Sequence, residues 1–212
     1  MKKTKLKIYE SYFKKLMDFI LALMALVILS PLMLLIGVLV RIKLGSPVIF
    51  KQERPGLNEN KFTLYKFRTM TDEKGGDGQL LTDDIRLTKF GVFLRATSLD
   101  ELPELVNIIK GDMSIIGPRP LLNKYVPLYS DYQRRRHEVR PGLSGLAQIS
   151  GRNVISWDER FKLDVEYVDN ITFLGDWKII LLTLKKVFIR EGISSNTSMT
   201  MEPFLGNKKM ED

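Results

Sequence analysis

The 212 residues carry 33 Lys and Arg against 25 Asp and Glu, a formal charge of +8. That length holds one folded unit with a small accessory element rather than two large domains, and the charge favours phosphates, nucleic acid or an anionic lipid surface as partners. The absence of cysteine excludes a thiol nucleophile, a thiolate metal site and disulfides, and a single histidine, His137, excludes a histidine-rich metal site. Catalysis therefore falls to carboxylates, lysines, arginines and a hard metal. His137 itself, between Arg134-Arg135-Arg136 and Glu138, is expected to be structural or solvated.

From Phe19 to Val40, 22 residues run without a charge or side-chain amide. They amount to roughly 33 Å of straight helix against a hydrocarbon core of ~30 Å. The run is too long for a signal-peptide core, and Arg41-Ile42-Lys43-Leu44-Gly45 offers no small-residue cleavage site. Both flanks are basic, with Lys2, Lys3, Lys5, Lys7, Lys14 and Lys15 before and Arg41, Lys43, Lys51 and Arg54 after, so the positive-inside tendency puts both ends in the cytoplasm. At the middle, Pro31 lacks the amide that would bond the Val27 carbonyl, and the Ser30 hydroxyl is expected to bond back to the Leu26 carbonyl, which predicts a kink. The halves, of 12 and 10 residues, reach ~15–18 Å each, so a helix broken there dips into one leaflet and returns. An ordinary kinked span is the alternative, and these residues alone leave both open.

Val48-Ile49-Phe50 and Phe62-Thr63-Leu64-Tyr65-Lys66-Phe67 bracket the turn-rich stretch from Pro55 to Asn60, which predicts a β-hairpin. Thr71 to Asp84 is polar and glycine-containing, reads as a surface loop, and is not a P-loop because no Gly-Lys-Ser/Thr follows. Ser156 and Glu159 form a capping-box signature opening a helix with Phe161, Val165 and Val168 on one face. A second helix is expected from about Asp176, with Trp177, Ile180, Leu181, Leu184, Val187 and Phe188 on one face, lysines off it and Gly192 ending it. Its apolar face fits either a bilayer interface or the domain core. The stretch from Ser194 onward reads as a poorly ordered polar tail.

Thr97-Ser98-Leu99-Asp100-Glu101-Leu102-Pro103-Glu104-Leu105 sets two adjacent carboxylates where a helix begins. Ser98-x-x-Glu101 also matches a capping box, in which Glu101 would only satisfy backbone amides. Pro103 favours the first turn, however, which leaves Asp100 and Glu101 in the turn before it. Adjacent carboxylates repel, and a divalent cation that relieves the repulsion also holds a pyrophosphate. Lys66, Arg68, Arg95, Arg119, Arg140 and Arg152 supply forks and charges able to clamp a diphosphate beside that pair. Solvated surface arginines are the alternative, and sequence alone does not show that these groups converge.

Ser30-Pro31 in its basic-flanked segment, Gln52-x-Arg54-Pro55-Gly56, Tyr65-Lys66-Phe67-Arg68-Thr69-Met70, Thr97-Ser98-Leu99-Asp100-Glu101-Leu102, Gly111-Asp112-Met113-Ser114, Gly117-Pro118-Arg119-Pro120, Arg140-Pro141-Gly142-Leu143 and Gly151-Arg152-Asn153 occur together and in order. From about Phe13 to Gly192 the chain closely resembles the bacterial sugar transferases called monotopic phosphoglycosyl transferases. The resemblance implies an α+β, mostly helical fold, with a re-entrant membrane helix at residues 1–44 broken at Ser30-Pro31, a catalytic domain with a small β-hairpin at 45–193, and a tail at 194–212. It also implies interfacial amphipathic helices and a location at the inner membrane with the catalytic domain on its cytoplasmic face.

The implied reaction moves a sugar 1-phosphate from a UDP-sugar to undecaprenyl phosphate through a phosphosugar-aspartyl intermediate on Asp100, releasing UMP. An N-acetylated amino sugar such as diacetylbacillosamine is the expected cargo, on the match at Asp164-Val165-Glu166-Tyr167-Val168. Mg²⁺ near Asp100 would be the cofactor, Glu101 would assist the metal or the acceptor's proton, Lys66, Arg95, Arg119 and Arg152 would contact phosphates or nucleotide, and Asp164 would be a polar site residue. A membrane-surface scaffold without catalysis is the competing class, and the acidic pair amid phosphate-type arginines argues against it. A nucleic-acid binder, suggested by +8 and Arg134-Arg135-Arg136, is disfavoured by the long apolar segment and by the lack of aromatics near that run. The oligomeric state is not legible.

Overall fold

The computed structural model describes residues 9–151, 155–189 and 203–206. After a π-helical turn at Tyr9–Phe13, helix α1 runs from Lys14 to Leu44 and continues through Pro31. The Ser30 hydroxyl donates to the Val27 carbonyl at 2.8 Å rather than to that of Leu26 as expected. Val27 carries the carbonyl that Pro31 cannot serve, so the side chain replaces the missing amide and no break in the helix is required.

Buried positions on α1 sit in two i, i+4 rows, Lys14, Asp18 and Ala22 near its start and Ile36, Val40 and Leu44 near its end. Between them Val27, Ile28 and Leu34 are 66%, 70% and 72% exposed. The first row packs with Leu64, Leu105, Ile108 and Met113, the second with Phe67 and Leu94, so both ends of the helix close on the same globular part.

Polar contacts reinforce the first row. Asp18, fully buried, accepts from Ser114 Oγ at 2.7 Å, the Ile115 amide at 3.1 Å and Arg140 Nη2 at 2.8 Å. Lys14 donates to the equally buried Asp176 at 2.7 Å, which also accepts from the hydroxyls of Tyr9 and Tyr167. A buried charge is tolerated when it is paired and hydrogen-bonded, and these are.

Strands β1 (Ile49–Pro55) and β2 (Lys61–Phe67) form the expected antiparallel hairpin, in register Ile49 with Phe67 through Pro55 with Lys61, and longer on the first strand than its apolar run indicated. From Thr71 to Thr82 the chain is irregular apart from a bridge between Lys74 and Leu80, and a single helical turn follows at Asp83–Arg86. Helix α2 (Lys89–Ala96), capped by Thr88 Oγ1 accepting from the Gly91 amide, leads into a 3-10 turn at Leu99–Glu101 and helix α3 (Glu104–Lys110).

Strands β3 (Ser114–Ile116) and β4 (Gly142–Ser144) pair in parallel. Backbones approach so closely there that a Cβ on Gly117 would lie 2.5 Å from the Arg140 carbonyl oxygen, so the sequence must spend glycine at the mouth of the Pro118-Arg119-Pro120 segment. Helix α4 (Leu146–Ser150) precedes α5 (Trp157–Asp169), capped as expected by Ser156 accepting from the Glu159 amide at 3.2 Å and burying Phe161 and Val165.

Helix α6 (Phe173–Ile189) begins three residues earlier than expected. Asp176 and Ile179 are buried and Thr183 bonds Ser144, while Leu174, Leu181 and Leu184 lie exposed. The polar anchor at Asp176 sets that rotation, because Lys14 and Tyr167 meet it from the core side. The side chains of Val187 and Phe188, and Gly192, lie outside the described residues. Of the expected tail, the described stretch 203–206 buries Phe204 among Tyr125, Tyr129, Trp157 and Phe161. The architecture is α+β and mostly helical, as the sequence indicated.

Candidate active site

The turn between α2 and α3 begins at Ser98, whose left-handed backbone (φ 56°) is unusual for a residue other than glycine. The Ser98 hydroxyl makes no capping bond and Glu101 reaches away from the helix, so the capping-box alternative does not hold. Instead Glu101 Oε1 accepts from Lys66 Nζ at 2.7 Å and from Arg119 Nη2 at 2.6 Å. Lys66 comes from the end of β2 and Arg119 from the segment after β3, so three separate elements meet at one carboxylate oxygen. Lys66 also lies 3.1 Å from Glu104 Oε1, bringing in a buried carboxylate that is not among the expected site residues.

Asp100 is buried and has no hydrogen-bond or ion-pair partner among the described residues. Burial, and then the neighbouring Glu101 charge, push its carboxyl up to about 6 against the pull of Lys66, Arg119 and Arg95. Burial also pushes on Glu101, but Arg119 and Lys66 outweigh it and hold this carboxyl well below the usual range. Glu104, buried and beside Glu101, is raised to about 7 despite Lys66. The site thus holds a locked anion at Glu101 and an uncommitted carboxylate at Asp100, a division of environments that suits one structural and one reacting group.

Other expected site residues are distributed in layers. Arg95 donates to Thr69 Oγ1 at 3.0 Å and lies within electrostatic range of Asp100. Arg68 does not join the cluster, because its guanidinium bonds the Ser46 and Met70 carbonyls and pairs with Asp72, pinning the chain on either side of the hairpin. Arg140 is likewise spent on Asp18 and the Met113 carbonyl. Asp164 stands one layer behind the site: its Oδ2 accepts from Arg136 Nε at 3.0 Å and Nη2 at 2.8 Å, and the same Nη2 donates to the Arg119 carbonyl at 2.7 Å. Arg152 lies outside the described residues.

The three consecutive arginines do not form a basic patch. Arg134 pairs with Glu59, Arg135 with Asp169 and Glu138, and Arg136 with Asp164, so each of the three is engaged by a carboxylate of the chain itself. His137 is structural, with Nδ1 3.3 Å from the Gly56 carbonyl and a pKa lowered to about 4 by burial and then by Arg136.

No group of three or more acidic or histidine side chains poised for a metal occurs among the described residues. Asp100, without a partner among the described residues, is the carboxylate that could hold a hard divalent cation. Away from this cluster, an apolar groove of about 330 Å³ follows the second half of α1, lined by Met33, Leu34, Gly37, Val38, Ile42 and Val48 with Arg41 at its edge.

Residues 9–190 match the family described as bacterial sugar transferase. An uncharacterized sugar transferase, EpsL, of Bacillus subtilis (strain 168) is 54% identical over 194 residues, covering 92% of this chain and 96% of that protein. The exopolysaccharide production protein ExoY of Sinorhizobium fredii is 39% identical over 196 residues, 84% of this chain and 87% of that one. A UDP-glucose:undecaprenyl-phosphate glucose-1-phosphate transferase of Klebsiella pneumoniae is 40% identical over 190 residues, which is 84% of this chain but 41% of the longer protein.

Proposed function

The chain belongs to the bacterial sugar transferase family, and from that premise we propose that it transfers a sugar 1-phosphate from a UDP-sugar to undecaprenyl phosphate in two steps. The observation that carries this is Asp100, a buried carboxylate without a partner among the described residues, set beside a Glu101 immobilised by Lys66 and Arg119. In the first step an Asp100 oxygen attacks the sugar-bearing phosphorus, the bond from that phosphorus to the bridging oxygen breaks, and UMP leaves. In the second an oxygen of the lipid phosphate attacks the same phosphorus and Asp100 is released as carboxylate. Lys66, Arg119 and Arg95 supply positive charge where phosphate oxygens gather, and Arg136 fixes the backbone of Arg119. A magnesium ion bound through Asp100 and the diphosphate would neutralise charge on the transferring group.

The structure supports a re-entrant course for α1. A helix that crossed the bilayer would leave one end on the side opposite the catalytic domain, whereas here Lys14 and Asp18 at one end and Val40 and Leu44 at the other are buried against it. The exposed apolar middle of α1 and the exposed Leu174, Leu181 and Leu184 of α6 fit a monotopic seat in the cytoplasmic leaflet of the inner membrane. The groove beside Arg41 suits an isoprenoid chain.

The sugar is less constrained. The Asp164 to Val168 segment that indicated an N-acetylated amino sugar is engaged in packing, with Val165 and Tyr167 buried and Asp164 on Arg136, so it gives the amino sugar no direct support. Glucose is named in the Klebsiella relative. A panel of UDP-glucose, UDP-galactose and UDP-N-acetylated amino sugars, without acceptor, tests both points. The correct donor should release UMP up to one equivalent and add one phosphosugar to the protein mass, and Asp100→Asn should lose both, with turnover reduced on the order of 10³-fold or more. UMP release from the wild type only after acceptor is added would replace the two-step scheme with direct transfer.

A further inference from the structure

The cations of the site and of the layer behind it are nearly all matched within the protein. Lys66 serves Glu101 and Glu104, Arg119 serves Glu101, Arg136 serves Asp164, and Arg95 bonds Thr69 while facing the Asp100 charge. Arg54, near the end of β1, is different. Its Nε and Nη1 are buried and donate to nothing among the described residues. The guanidinium lies within electrostatic range of Arg119, Glu104 and Tyr125, and burial followed by the Arg119 charge lowers its pKa to about 10.

Glu104 is a weak counter-ion for it, being already bonded to Lys66 and shifted toward its neutral form by burial. The backbone under Arg54 is held on three counts: its pairing with Phe62 across the hairpin, the fixed φ of Pro55, and the contact of His137 with the Gly56 carbonyl. Buried guanidinium nitrogens with no acceptor, within electrostatic range of a second guanidinium, are unfavourable in the free protein, and a fork-shaped anion relieves both penalties at once.

We propose that Arg54 is a substrate-binding residue that joins Arg119 in gripping a phosphate group, either the diphosphate of the nucleotide sugar or the monophosphate of the lipid acceptor. This rests on the phosphosugar-transfer reading above. The role differs from that of the other arginines because it is unsatisfied until substrate arrives.

The full chain, purified in detergent, allows a direct test with two probes, UDP and a short-chain polyprenyl monophosphate, in equilibrium binding and thermal unfolding. Arg54→Gln should weaken UDP binding at least tenfold if the donor diphosphate is the ligand, or weaken the polyprenyl phosphate by that factor with UDP unaffected if the acceptor is. Arg54→Lys, which keeps the charge and loses the fork, should recover part of the affinity. Without probe, Arg54→Gln should unfold at or above the wild-type temperature, since it removes an uncompensated buried charge. Probe affinities within twofold of wild type, or a ligand-free Arg54→Gln that unfolds several degrees lower, would overturn the assignment and leave the transfer reaction standing. A wild type that binds neither probe would overturn the transfer reading and this assignment with it.

Discussion

Removing the charge of Asp164 should unfold the protein without touching the reacting groups. Asp164 and Arg136 have side chains 2% and 1% exposed, and both Arg136 contacts fall on one carboxylate oxygen. Breaking a buried pair by neutralising one partner typically costs ~3–5 kcal/mol, because the remaining charge stays desolvated. The penalty is aggravated here, since Arg160 shares the neighbourhood and loses the same offsetting charge.

Asp164→Asn is therefore expected to lower stability by about 3–5 kcal/mol, which for a chain of this size corresponds to a fall of roughly 6–20 °C in unfolding temperature. Asp169→Asn is the internal control: its pair with Arg135 is 49% and 36% exposed, and screening by solvent limits the cost to below ~1 kcal/mol. Denaturant unfolding in detergent of wild type, both single variants and Asp164→Leu with Arg136→Met distinguishes the cases, the double replacement being expected to recover much of the loss by leaving no buried charge. An Asp164→Asn protein within 1 kcal/mol of wild type would refute the buried-pair argument, and with it the claim that Asp164 acts from behind the site.

Glu104 offers a pH signature. Its pKa is raised from 4.5 to about 7, so the stability its proton supports is present below pH 4.5 and lost as pH rises through 7. The stability of wild type minus that of Glu104→Gln should fall by on the order of 3 kcal/mol from pH 4.5 to 7.5, and a difference flat with pH would contradict this. Cysteines introduced singly at Lys15 and Lys51, in a chain otherwise free of cysteine, should be labelled from the same side of the membrane; labelling from opposite sides would reject the re-entrant course. Turnover should require Mg²⁺ or Mn²⁺, and undiminished rates in excess chelator would remove the metal from the mechanism.

Local signals carried much of this structure. The hairpin, the helix opened by Ser156 and the turn before Pro103 are each written in a few adjacent residues, and each forms where those residues place it. What was not legible depends on partners distant in sequence. Glu104 reads as a helix surface residue until Lys66, from a strand 38 positions earlier, lies against it, and Asp176 looks like a first-turn acid until Lys14 arrives from 162 positions away. Arg68 and Arg119 are indistinguishable by type, yet one meets backbone carbonyls and the other a carboxylate, because the hairpin end and the segment after β3 face different neighbours. The rotation of α6 was open for the same reason: an apolar stripe was visible, but a buried aspartate decided which side turned inward.

The contacts of Asp18 impose an order on biogenesis. When Asp18 is added to the growing chain, the Arg140 that will meet it is 122 residues from being made. At ordinary elongation rates that is a wait of roughly 6–24 s. During this interval the nascent helix carries an acid whose nearby opposite charge is Lys14, one turn back and 4.0 Å away in the finished protein. On the proposed monotopic seat, the segment would meet the bilayer with Asp18 opposed only by Lys14 until the domain has folded around it. A ribosome stalled before Arg140 should hold α1 more weakly at the membrane than the completed chain does.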